Sequence, residues 1–128
     1  MRELGSSQPT AVELEILRIL WELGSCPVRD IHSRLAEAKG TNYSTTVKML
    51  SVMLTKGLVK RDEDATPHIY RAAMTRERAA KKFLIELIEK VYDGSAMSLV
   101  LQALASGRAS KQEIEEARKL LDEMEAKS

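Results

Sequence analysis

The sequence carries one cysteine, Cys26, in 128 residues. A lone thiol can neither close an internal disulfide nor build a thiolate metal cluster within one chain. Long apolar runs are missing as well. None approaches the ~18 residues that a membrane-spanning helix requires, so no membrane insertion is expected. The opening Met1-Arg2-Glu3-Leu4-Gly5-Ser6-Ser7 lacks the apolar stretch of a secretory leader. With the lack of disulfides, this leads us to expect a cytoplasmic protein. There is no glycine-rich phosphate loop, internal repeat or low-complexity tract. His32 and His68 are the only histidines, and neither falls in an HExxH or similar pattern. No catalytic residue, metal or cofactor is therefore assigned, and the chain is not read as an enzyme. A charge excess is also lacking: 20 Lys+Arg against 19 Asp+Glu leave +1. That balance speaks against a nucleic-acid partner only if the charge is spread evenly, and a binding face needs only a local excess.

What is present is an ordinary globular composition, 44% hydrophobic and 30% charged. The length suits one domain, or one domain with a short appendage. Thr10 followed by Glu13 is a capping-box pattern that opens a first helix. Leu14, Leu17 and Trp21 form one stripe of it and Ile16, Leu20 and Leu23 another. Gly24 ends it, and Ser25-Cys26-Pro27 reads as a break. A second helix runs from about Val28 to Ala38, burying Val28, Ile31 and Leu35. After the Gly40-Thr41-Asn42 turn, a third helix starts with Ser44 as its expected N-cap and stops before Gly57. Leu58 to Arg61 and His68 to Ala72 read as two strands of a hairpin around a polar loop. Three more helices follow, about Arg76–Tyr92, Ser95–Ala105 and a last one opened by the Ser110/Glu113 capping box.

Three helices and a hairpin are the winged form of helix-turn-helix. The expected fold is mainly α with a small β-hairpin wing. We place a winged-helix domain at 1–74 and a helical dimerisation region at 75–128. About fifty helical residues cannot easily support a core of their own. The stripe of Phe83, Leu84, Leu87 and Val91 wants a partner, as do Val100, Leu101, Leu104, Leu120 and Leu121. A second copy of the chain is the simplest one.

Lys39, Lys48, Lys56, Lys60 and Arg61 fall in residues 39–61, where no Asp or Glu occurs. Asp62, Glu63 and Asp64 confine the excess at once. At 100° per residue, Thr46, Met49, Leu50 and Met53 share the core side of the third helix. Thr45, Lys48, Ser51, Val52 and Thr55 share the other, with Val47 at the boundary. Small polar and cationic side chains can approach base edges and phosphates, and valine can touch a thymine methyl. Tyr43, ahead of this helix, can offer its hydroxyl to a phosphate. Arg61 and Arg71 flank the hairpin and can do the same. The competing reading of this face is plain solvation. Trp21 and Tyr70 are read as core anchors, His32 as a helix-surface residue and Cys26 as a buried small apolar one.

Several segments in order resemble the penicillinase-repressor family of winged-helix transcriptional regulators. They are Leu17-Arg18-Ile19-Leu20-Trp21, Val28-Arg29-Asp30-Ile31, Tyr43-Ser44-Thr45-Thr46-Val47, Lys56-Gly57-Leu58-Val59-Lys60-Arg61, His68-Ile69-Tyr70 and the run from Gly94 to Leu101. The resemblance implies a homodimer that represses transcription on a palindromic operator, with the third helix in the major groove. It implies that Ser44, Thr45, Val47 and Lys48 match the DNA-contacting segment, with Val47 where some relatives carry Arg or Asn. Copper-responsive members hold a C-terminal cysteine cluster, which this chain lacks. Antibiotic-responsive members are cut at an Asn-Phe bond by a membrane sensor protease. Gln102-Ala103 stands at the matching place, so such a protease is a candidate partner only through that pair. The alternative expectation is a winged-helix adaptor that binds protein and not a specific DNA site. The operator and the inducer are not read from the sequence.

Overall fold

The computed structural model describes residues 9–128. The expectation about a secretory leader concerns residues 1–7 and lies outside the described residues. The elements run α1 (Ala11–Leu23), β1 (Cys26–Pro27), α2 (Val28–Lys39), α3 (Tyr43–Lys56), β2 (Val59–Asp62), β3 (Ile69–Ala72), α4 (Arg76–Val91), α5 (Ala96–Ala105) and α6 (Lys111–Lys127). They divide into two compact units, Met1–Phe83 and Leu84–Ser128.

The helix starts follow from local hydrogen bonding. Thr10 Oγ1 accepts from the Glu13 N–H at 3.2 Å while Glu13 Oε1 accepts from the Thr10 N–H at 2.9 Å. Two donors that the first turn leaves open are thereby satisfied. Ser110 and Glu113 repeat the box at α6, at 3.1 and 2.9 Å. At α3 the cap is Asn42 and not Ser44. Asn42 Oδ1 accepts from the Thr45 N–H at 2.9 Å and from Ser44 Oγ at 3.0 Å. Both residue types cap well, and the upstream one captured the amide. Tyr43 is thus the first residue of α3, not a residue before it. At the far end Gly57 adopts φ 80°, and the Leu58 N–H returns to the Met53 carbonyl at 2.9 Å. That left-handed turn sends the chain into β2.

The hairpin is part of a three-stranded antiparallel sheet in the order β1-β3-β2. Cys26 pairs with Tyr70 and Pro27 with Ile69. The expected break at Ser25-Cys26-Pro27 is therefore an edge strand. Proline fits there because its missing N–H is not needed on the open side. The other two strands begin one residue later than expected, at Val59 and Ile69.

The core lies wholly in the first unit. Ile16, Leu17, Ile19 and Leu20 of α1 meet Ile31 and Leu35 of α2, Leu50 and Met53 of α3, and Cys26, Val59 and Tyr70 of the sheet. Two expected core positions of α1 are exposed, Leu14 and Leu23. Leu14 lies nearly opposite Ile16 on the helix, at 100° per residue, and Leu23 falls in the last turn. Ile19 and Glu13 are buried in their place. In the second unit no residue is buried. Leu101, Leu120 and Leu121 are each more than half exposed, at 59%, 57% and 54%.

Candidate nucleic-acid interface

α3 divides as its periodicity requires. Thr46, Leu50 and Met53 are fully buried, while Tyr43, Ser44, Thr45, Val47, Lys48, Ser51, Val52 and Thr55 are exposed. These eight residues present hydroxyls, two valines and the Lys48 ammonium, with no acid. They offer donors, acceptors and methyl contacts with little bulk.

Lys56 belongs to the same acid-free run but is engaged elsewhere. Its Nζ donates to both carboxylate oxygens of Glu13, at 2.8 and 3.1 Å. Burial pushes the Glu13 carboxyl up, but the bonds from Lys56 and the Thr10 N–H and the ammonium charge outweigh this, and its pKa lies below the ordinary 4.5. Arg61 is engaged too. It is half-buried on the same strand face as Val59, donating to Tyr70 Oη at 3.5 Å and pairing with Glu63. These bonds, Tyr70 first, raise its pKa further, and the Arg61 guanidinium depresses that of Glu63. Its Nε is buried with no hydrogen-bond partner.

The wing's outward cations are Lys60 and Arg71, which are exposed and directly opposed across β2 and β3. Like charges facing each other in an antiparallel pair destabilise it, and an anion placed against them relieves the repulsion. They line, with Leu54, Gly57, Val59, Arg61 and Asp62, a groove of about 640 Å³. A second groove, about 510 Å³, joins Tyr43 and Val47 to Arg61, Arg29, Val28, Pro27, Pro67, His68 and Tyr70. Of the sequence-predicted residues, Tyr43, Val47 and Arg61 thus come together in one groove and Arg61 and Arg71 in the other. Ser44, Thr45, Lys48, Ser51 and Val52 occupy the exposed surface of α3.

Two residues outside the sequence-predicted set, Lys60 and Arg29, line these grooves. Lys60 enters the sequence reading through charge alone, and the β2–β3 register sets it opposite Arg71. Arg29 stands in the first turn of α2. His32, expected on a helix surface, is half-buried instead. Its Nδ1 lies 2.9 Å from Thr46 Oγ1, and its ring meets the edge or face of Tyr43 at 5.2 Å and 78°. It ties α2 to the inner side of α3. Thr46 Oγ1 also donates to the Asn42 carbonyl at 3.4 Å, which leaves it an acceptor for a histidine N–H.

In the second unit, Leu84, Leu87, Val91, Val100, Leu101, Leu104, Leu120 and Leu121 are exposed. Phe83, the last residue of the first unit, is half-buried. Gln102 and Ala103 are exposed within α5, where the Ala103 carbonyl accepts from Ser106 Oγ at 2.6 Å.

Comparison with known proteins bears on this arrangement. The chain is 22% identical over 116 residues to the penicillinase repressor of Bacillus licheniformis, covering 91% of each. It is 26% identical over 113 residues to the methicillin resistance regulatory protein MecI of Staphylococcus aureus (strain N315), covering 88% of this chain and 92% of that one. Among solved structures, a MarR family transcriptional regulator from Silicibacter pomeroyi superposes with a TM-score of 0.47 at 19% identity, over 93% of this chain and 70% of that one. The penicillinase repressor family profile matches residues 9–123, from just ahead of the α1 capping box through most of α6, and the chain belongs to that family of DNA-binding transcriptional repressors.

Proposed function

We propose that this repressor acts as a homodimer on a palindromic operator, with α3 in the major groove and the wing cations on the flanking backbone. The observation that carries the reading is the exposed face of α3. Thr45, Lys48, Ser51 and Val52 stand out from a helix whose opposite side buries Thr46, Leu50 and Met53. Lys60 and Arg71, opposed on the wing, supply the phosphate contacts that set register without reading sequence. Tyr43 and Arg29 in the adjoining groove add further backbone contacts.

The dimer is supported by the second unit. Its helices expose leucine after leucine, which a protein in water covers. A second copy covers them symmetrically, and a two-fold protein reads a two-fold site. The 1–74 and 75–128 division of labour, reading and pairing, rests on the same contrast. Function in the cytoplasm follows from the DNA partner. Among the described residues no helix is long and apolar enough to cross a membrane. A membrane sensor protease fits less well, because Gln102-Ala103 offers neither the asparagine nor the phenylalanine of the family's cut bond.

Selection from a randomised duplex library tests the reading. The full chain should enrich an inverted repeat whose half-sites lie one helical turn apart, ~34 Å centre to centre, or a multiple of it. Recovery of duplexes with no shared sequence would overturn it in favour of a protein-binding adaptor, and recovery of single half-sites only would overturn the dimer.

A further inference from the structure

Leu14, Arg18 and Trp21 stand at i, i+4 and i+7 on α1, and Arg76, Ala80 and Phe83 stand at the same spacing on α4. The two stripes line a groove of about 360 Å³ in the first unit. It shares no lining residue with either groove beside α3, and its Trp21 wall backs onto the core. Its walls are apolar, and each stripe adds one arginine. Trp21 Nε1 donates to the Met74 carbonyl at 2.9 Å, so the indole is fixed and its only donor is used. The ring presents a set apolar wall.

Neither Arg18 nor Arg76 makes an ion pair or side-chain hydrogen bond with another described residue. Both lie in the field of Glu22, whose carboxylate is held first by Arg34, at 2.7 Å. Glu22 is thus paired with a third arginine, and the groove keeps two guanidiniums beside an apolar floor.

We propose that this groove binds a small amphipathic monocarboxylate, with its apolar body against Leu14, Trp21, Ala80 and Phe83 and its carboxylate on Arg18 and Arg76. Guanidinium groups match carboxylates in shape and charge. Small-molecule sites are mostly apolar with a few convergent polar groups and start near ~300 Å³. A metal cation is repelled by the two guanidiniums. A phosphate finds no donors along the floor. A helix is too large, since one turn of a ~10 Å cylinder alone fills ~420 Å³.

Trp21 is the chain's single tryptophan, so its emission reports directly on the groove. The full chain is titrated with phenylacetate, with phenylacetamide and acetate as controls. A saturable change in Trp21 emission is expected with phenylacetate, and binding about tenfold weaker or worse for each control, which lacks either the charge or the apolar body. Arg18→Gln and Arg76→Gln should each weaken phenylacetate by about tenfold, with circular dichroism unchanged. Should either variant fail to fold, calorimetric titration of the other carries the comparison. The proposal is overturned by an absent response, by phenylacetamide binding as well as phenylacetate, or by arginine variants that bind normally. An emission change that follows protein concentration and not ligand would assign the groove to a second copy and overturn it equally. None of these outcomes depends on DNA binding.

Discussion

Lys56 Nζ bridges both carboxylate oxygens of Glu13, a residue 1% exposed. The pair joins the last turn of α3 to the first turn of α1. It removes Lys56 from the cations that can meet DNA and makes it a clamp on the reading helix. Lys56→Met leaves a buried carboxylate with only the Thr10 N–H. The lysine is 47% exposed, so the loss falls below that of a fully buried pair, at about 1–3 kcal/mol. Urea denaturation should show the drop, while the salt dependence of duplex binding stays unchanged.

The same pair sets a pH dependence. The Glu13 pKa is depressed on folding, below 4.5, so its contribution is complete above the unfolded value. It is lost as pH falls through the folded value. The stability gap between the wild type and Glu13→Gln should therefore shrink on acidification from pH ~6 to pH ~3. A gap that stays constant over that range would show that the carboxylate's charge is not what the pair uses.

On α3, Thr45→Ala and Lys48→Ala should each cost ~1–3 kcal/mol on the selected operator and less on random duplex, if they read base edges. Equal losses on both duplexes would reassign them to phosphate. Lys60→Ala and Arg71→Ala should weaken all duplexes alike and reduce the salt slope by about 1 per contact removed.

His32→Ala removes one of the two hydrogen-bond partners of the buried Thr46 hydroxyl and the ring neighbour of Tyr43. A stability loss of ~1 kcal/mol is expected, together with weaker operator binding. His32→Asn, whose amide can replace the Nδ1 contact, should restore stability more than binding, because it does not replace the ring. Binding that survives His32→Ala intact would remove the histidine from any role in placing α3.

Leu120→Glu with Leu101→Glu places charges on two leucines more than half exposed in the single chain. Sedimentation should show the mass fall from dimer to monomer, and operator binding should fall to that of a half-site. An unchanged dimer would move the pairing surface elsewhere.

The sequence made some of this legible and hid the rest for physical reasons. Periodicity was enough for the two faces of α3, because burial on one side follows the helical repeat. The capping boxes at Thr10 and Ser110 were visible because their bonds span three residues. β1 was invisible, since two residues form no pattern and its partner lies beyond α3. Asn42 and Ser44 compete as caps on equal chemical terms, and only the backbone path decides. The Glu13–Lys56 bridge joins residues 43 apart, so a count of local charge included a lysine that was spent. Lys60 was in that count but its role needed the register against Arg71. His32 was misplaced because a histidine facing another helix looks in sequence like one facing water.

The salt dependence of duplex binding tests the central claim most directly. Lys48, Lys60 and Arg71 make no ion pair with another described residue. Two copies bring roughly six such cations to phosphate, which gives a log–log slope of about −5 between affinity and salt. The account predicts that steep fall for the dimer on its operator. An affinity that stays flat from low to physiological salt would contradict it.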